Sequence, residues 1–210
     1  MRAVADSFAW AIRADRATWA LGLLAVLFLP LLFIPLFGYA ISALRAAETG
    51  PEHPPPRWEL TGRLLSDGLW TSLLVLLTAL PFALVWNPIA EALAGGLGDF
   101  KAHVIAGLVL LLPWGLILLL YMPFNAAEFA ASGRPRDLFD RNRAWRRARE
   151  EFVTWNAVVS AIVTAWAIGI ACAGLLCVGV VPGIFYAILV SAHAAAALHR
   201  PGQDPGPSTR

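Results

Sequence analysis

Charge is scarce in this sequence. Of its 210 residues, 14% are Asp, Glu, Lys or Arg and 59% are hydrophobic, and the mean hydropathy is +0.66. A soluble domain carries about 25% charged residues, so a chain this poor in charge cannot cover a water-facing surface. Lysine is nearly absent: fifteen of the sixteen basic residues are Arg, and the one Lys is Lys101. A GC-rich bacterial genome produces that bias, and it carries no mechanistic weight. Cysteine is limited to Cys172 and Cys177. Five residues along one helix are about 140° apart, so the two thiols face different ways. Neither a disulfide nor a metal site is expected, and both read as small buried apolar side chains. The four His include no pair at metal-ligand spacing. No Ser/His/Asp set, H-E-x-x-H, P-loop or Rossmann fingerprint occurs, so the sequence implies no enzyme and no cofactor. Nucleic acid is not an expected partner, because the basic residues are divided among segments separated by apolar runs.

What the sequence has in quantity is apolar run length. Runs of about 18 or more apolar residues read as membrane-spanning helices. The expected fold class is an all-α integral membrane bundle, with about five transmembrane helices plus interfacial amphipathic helices. One polytopic domain fills residues 1–200, with spans at 19–44, 68–86, 104–123, 157–177 and 180–198 and a disordered tail at 201–210. The third span is the strongest. Its twelve Leu, Ile and Val residues between Val104 and Met122 contribute about −4 to −7 kcal/mol to insertion. Asp6 and Asp15 precede the first apolar run, which is too long for a signal peptide, so it reads as a retained helix. Residues 1–18 read as a short interfacial helix, and Asn87-Pro88 as the stop of the second span.

Basic residues mark the cytoplasmic side. With five crossings, one face holds twelve of them, in 45–67, 124–153 and the tail, and the other holds four. That places the C-terminus and loop 124–153 in the cytoplasm of a bacterial inner-membrane protein. The three N-terminal Arg would then lie outside, which fits poorly. The alternative is that the segment with Pro30 and Pro35 dips in and returns, bringing the N-terminus to the cytoplasmic face.

Three groups of residues are candidates for a role. Arg141, Arg143, Arg146, Arg147 and Arg149 recur with apolar residues at near-helical spacing, as in a helix lying on anionic headgroups or a partner. Asn125, Glu128, Asn156 and His193 are the polar residues at or inside span ends, where polar groups are costly and therefore candidate sites. Small residues repeat every fourth position in two stripes: Ala157, Ala161, Ala165, Gly169 and Ala173, then Gly183, Ala187, Ser191 and Ala195. Small residues permit close helix approach in lipid, so the stripes are expected to face each other in a tight hairpin.

Several short motifs carry a resemblance: Gly38-Tyr39, Pro56-x-Trp58, Asp67-Gly68, Gly-x-x-Pro-Gly-x-Phe-Tyr from Gly179 to Tyr186, Ser191-Ala192-His193, and Arg200. In order and spacing they resemble a family of uncharacterised prokaryotic membrane proteins, the domain of unknown function numbered 4013, over roughly residues 8–200. The resemblance implies a multi-spanning fold and no known activity. The favoured function is a non-enzymatic scaffold or regulator that works through the Arg-rich cytoplasmic helix, with anionic lipid and an unknown protein or a second copy as partners. The alternative is a small transporter or channel subunit acting as an oligomer, and a lipid-modifying enzyme ranks third.

Overall fold

The computed structural model describes residues 2–50, 52–172 and 179–199. Among them there is no strand. Eight α-helices and one 3-10 turn follow in order: α1 (Arg2–Ile12), α2 (Arg16–Leu27), α3 (Leu29–Thr49), α4 (Gly62–Leu97), α5 (Asp99–Ser132), the turn Pro135–Phe139, α6 (Arg141–Glu150), α7 (Phe152–Ala171) and α8 (Val180–Ala196). Four of these, α3, α4, α5 and α7, are long and apolar enough to cross a membrane, while α2 and α8 are apolar but shorter. Large apolar side chains such as Leu76, Leu80, Leu84, Leu108, Leu111 and Leu116 stand exposed along α4 and α5. This is the exterior of an all-α membrane bundle.

The span expected at 19–44 is not one helix. It breaks at Phe28 (φ −101°, ψ 37°), and Leu32 (φ −106°, ψ 17°) is also non-helical. The prolines explain both breaks. Neither Pro30 nor Pro35 has an N–H to give the carbonyl four residues back, so the helical ladder is interrupted twice, and Pro30 sits where proline is tolerated, in the first turn of a new helix. The chain then reverses. Twenty residues of continuous helix would separate Trp19 from Tyr39 by about 30 Å. Instead both rings pack on Phe185, with centroids 5.2 Å and 6.0 Å away. Asp15, which caps α2 by accepting from the Thr18 N–H at 2.9 Å, also lies 3.9 Å from Arg57 in the loop after α3. Thus α2 and α3 form a V that starts and finishes at the same end of the bundle. With twelve residues, α2 is about 18 Å long, well short of a hydrocarbon core of about 30 Å.

Helix α1 joins that end. It packs on α8 and α7, with Trp10 and Ser7 fully buried, and is held far more firmly than an interfacial helix resting on lipid. Its Trp10 indole N–H donates to the His53 carbonyl (2.6 Å), and Ser7 Oγ shares a 2.8 Å hydrogen bond with His193 Nδ1.

Helix α4 runs past the expected stop at Asn87-Pro88 and carries both Pro81 and Pro88 inside it. Trp86 braces this stretch by donating to the His103 carbonyl of α5 (3.0 Å). The turn comes at Gly98, whose φ of 76° favours glycine. Helix α5 is likewise longer than the span at 104–123 and continues to Ser132. Residues 124–153 are therefore not one amphipathic helix but the end of α5, the 3-10 turn, α6 and the start of α7.

Two backbone crossings need glycine. On α3 and α4, a Cβ at Gly38 would overlap the Leu64 carbonyl and one at Gly68 the Ile34 carbonyl. On α7 and α8, a Cβ at Gly169 would lie 2.7 Å from the Gly183 oxygen, and one at Gly183 2.6 Å from the Gly169 oxygen. Ala161, Ala165 and Ala187 are fully buried beside this contact, so the two small-residue stripes do meet. Ala157 is exposed, and Ala173 lies outside the described residues, as do Cys177 and the tail.

Replacing Gly169 with Leu is expected to destabilise the protein by about 1–3 kcal/mol, the usual cost of overpacking. The same change at Gly115, where a Cβ meets nothing within 4 Å, should be close to neutral. Thermal unfolding of both variants in detergent checks this, and equal melting temperatures would refute the close crossing.

Candidate functional site

The charged residues gather where α3 ends, α4 begins and α5 ends. Arg45, on the last turns of α3, donates through Nε to the Ala130 carbonyl of α5 (2.9 Å) and pairs through Nη2 with Asp67 of α4 (3.0 Å). Asp67 is buried, so this pair clasps three helices with few competing waters. Arg63 approaches the same carboxylate at 4.0 Å.

A second cluster fixes α6. Because α5 continues as helix to Ser132, Asn125 and Glu128 sit three residues apart on it. Buried Asn125 donates through Nδ2 to the Leu138 carbonyl (2.8 Å) and holds the 3-10 turn. Glu128 takes Arg143 on one oxygen (2.9 Å) and Arg147 on the other (3.3 Å). Arg143 also lies 3.5 Å from both Asp137 and Asp140. Asp140 caps α6 by accepting from the Arg143 N–H at 3.0 Å. Buried Asp137 accepts from the Ser132 hydroxyl (2.6 Å) and faces Arg134 (3.3 Å). Burial alone would raise its carboxyl, but the Ser132 hydroxyl, Arg134 and Arg143 outweigh it and hold the group below the usual carboxylate range. A depressed folded-state value stabilises the turn above the ordinary carboxylate range and stops doing so only as the pH falls through the depressed value. Neutral pH therefore keeps this anchor intact.

The five Arg of α6 divide by face. Ala144 and Ala148 are buried, and Arg143 and Arg147, one residue before each, turn inward to Glu128. Arg141, Arg146 and Arg149 are exposed. Arg146 has only a 4.0 Å contact with Glu150, itself exposed, and Arg149 lies over the Trp145 ring at 4.6 Å. Trp145, Phe152 and Val153 are exposed on or just after this helix. The outcome is a surface with three outward cations and apolar neighbours, fastened from behind by the Arg143–Glu128 hydrogen bond and the Arg147–Glu128 ion pair.

The four intramembrane polar candidates do not form one site. Asn125 and Glu128 belong to the anchor just described, Asn156 is exposed, and His193 is buried with Ser7 and stacked 4.9 Å from Trp10. Among the described residues no three His, Cys, Asp or Glu groups could hold a metal. Nothing local to Arg45 or Ser7 marks either as a partner. Asp67 was visible only as half of a motif, because its partner is 22 residues away.

Glu128→Gln removes the charge that both inward Arg answer. These groups are neither fully buried nor fully exposed, so the cost falls between about 0–1 kcal/mol for a surface pair and about 3–5 kcal/mol for a buried one. The variant is expected to release α6, read as faster tryptic cleavage after Arg146 and Arg149. An unchanged cleavage rate would show that Glu128 does not hold the helix.

The remaining motifs converge on the V. Tyr39 stacks on Trp58 with ring centroids 4.3 Å apart and planes within 3°, and its hydroxyl donates to the Pro56 carbonyl (3.0 Å). Phe185 closes on both rings, and the Tyr186 hydroxyl donates to the Phe8 carbonyl of α1 (3.2 Å). Gly38 and Gly68 form the α3–α4 crossing. Arg200, the last motif residue, lies outside the described residues. No curated protein and no solved structure matches the chain. The family described as "Protein of unknown function (DUF4013)" matches residues 21–191, from the middle of α2 to two residues short of His193. The match covers well over half of the sequence and takes in both glycine crossings, the Tyr39–Trp58–Phe185 stack and the charged anchor, and the chain belongs to the DUF4013 family.

Proposed function

We propose that this protein is a non-enzymatic membrane component that presents α6 to anionic headgroups and to a partner at the cytoplasmic surface. The observation that carries the reading is the division of the α6 arginines. Arg143 and Arg147 are spent on Glu128, and Arg141, Arg146 and Arg149 remain outward beside Trp145. A cationic, partly aromatic helix fixed at a membrane surface is suited to anionic lipid.

Charge placement supports the orientation. Because α1 and both ends of the V lie at the α6 end, three basic residues in 2–16, three in 45–63 and seven in 134–149 share that end. That makes thirteen of the fourteen described, with Lys101 alone at the other. A bias this strong favours a cytoplasmic α6 end. In this reading α4, α5 and α7 cross the membrane, and α8, at 17 residues, crosses at the lower limit of about 17 residues for a span. Although long enough to cross, α3 enters and leaves with α2 by one face as the V, and both α1 and the end of α8 are cytoplasmic. The transport alternative draws no support from the polar residues, since Asn125, Glu128 and His193 have partners of their own and line no common path.

Two measurements test the proposal. With Cys172 and Cys177 changed to Ser, single cysteines at Arg13, Lys101 and Arg141 are labelled in intact cells. Arg13 and Arg141 should be protected together and Lys101 labelled, and opposite behaviour of Arg13 and Arg141 would overturn the orientation. The second measurement compares unfolding in phosphatidylcholine nanodiscs with and without phosphatidylglycerol. Each surface Arg is worth about 1 kcal/mol at an anionic leaflet, so the stabilisation by phosphatidylglycerol should fall by about 3 kcal/mol in the Arg141→Gln, Arg146→Gln, Arg149→Gln triple variant. Full retention of that stabilisation would remove the lipid role.

A further inference from the structure

A cavity of about 320 Å³ separates the α4–α5 hairpin from the α7–α8 hairpin. Its walls include Phe37 of α3, Leu119 and Met122 of α5, Ile162 and Trp166 of α7, and Ala195 of α8, with Leu138 of the 3-10 turn also on the wall. The hairpins meet beside it, where α5 packs on α8 and Phe124 of α5 is buried with Val158, Ala161 and Ile162 of α7 and Ala194 of α8. Trp155 adds a polar tie there by donating to the Leu119 carbonyl of α5 (3.2 Å).

Three properties identify the occupant. The first is polarity. The two hydroxyls on the wall are already used, Thr71 donating to the Asp67 carbonyl (2.8 Å) and Ser191 to the Ala187 carbonyl (2.7 Å) while accepting from the Trp166 indole (3.2 Å). Nothing there asks for a polar ligand, and an unfilled apolar gap forfeits dispersion contacts along its walls. The second is shape. The lining follows α5 for about 12 Å, from Leu118 to Ala126, a narrow apolar track along which the inner part of one extended hydrocarbon chain can lie. The cavity also opens to the surface, because Trp166 is 37% exposed. The third is charge. The wall at the α6 end is the turn that carries Leu138, and on the same turn Arg136 is exposed with no ion pair among the described residues. Arg134, just before it, is shared with Asp137.

We infer that this groove is a binding site for one anionic phospholipid, one acyl chain lying between the hairpins and its headgroup at the Arg136 end. The inference rests on the membrane orientation proposed above but not on the outward face of α6, so either can fail while the other stands.

The test uses the full chain in mild detergent, incubated with phosphatidylglycerol or phosphatidylcholine and read by native mass spectrometry. One phosphatidylglycerol should be retained per chain, and phosphatidylcholine should be retained about tenfold less, a difference of about 1.4 kcal/mol. Ala126→Phe and Ala195→Phe, which each place a ring in the groove, should abolish retention, and Leu84→Phe on the outer face of α4 should not. Retention unaffected by the filled groove, or no retained lipid at all, would overturn the site. Equal retention of the two lipids would overturn the anionic headgroup. Should the filled variants unfold, quenching by phosphatidylglycerol with brominated chains decides: it should be stronger for the wild type than for Trp166→Phe and should saturate at one lipid per chain. No difference between the two proteins would also overturn the site.

Discussion

The buried ring of Phe185 occupies the point where α2, α3 and the loop after α3 come together. Trp19, Tyr39 and Trp58 all touch it, and a Cβ at Gly22 of α2 would collide with it. The prolines near Phe28 break the first apolar run but say nothing about the direction in which it resumes. That direction comes from these contacts, which reward a sharp reversal with aromatic burial. Once α2 and α3 are folded onto α8, the N-terminal helix has nowhere to go but the end of α8 where His193 waits. The distribution of basic residues between the two ends then follows from the reversal.

The charged end works by a different principle. Ion pairs in water contribute little, but carboxylates at the edge of an apolar bundle are poorly hydrated and hold tightly to the guanidiniums that reach them. Asp67 and Glu128 each use that position to gather helices distant in sequence, Asp67 through Arg45 and Glu128 through Arg143 and Arg147. One helix thereby acquires two unlike faces, an inner one consumed by structure and an outer one left to its surroundings.

Much of this was legible in the residues. The apolar runs fall within α5 and overlap α7 but miss their ends, since both helices begin five residues earlier than the runs and α5 ends nine later, and the four-residue repeat of small side chains marked the α7–α8 seam, because both signals are local and periodic. Local rules misjudged Pro88, which should end a helix in water but is carried inside α4. They also merged α2 with α3, because apolar composition does not encode a reversal. The Arg-rich segment was recognisable as an amphipathic helix. Which of its arginines faced inward depended on Glu128 of another helix, and the Ser7–His193 bond joins residues 186 apart, a distance over which no pattern in one sequence reaches.

The V has a consequence for shape. Six helical segments, α2 to α5 together with α7 and α8, pass through the half of the bundle nearest α6, and of these the two longest, α4 and α5, meet at the Gly98 turn. A molecule with that cross-section is a taper. Lipids on its broad side must spread around a wider perimeter than those on its narrow side, so the two leaflets feel different lateral pressures from the same protein.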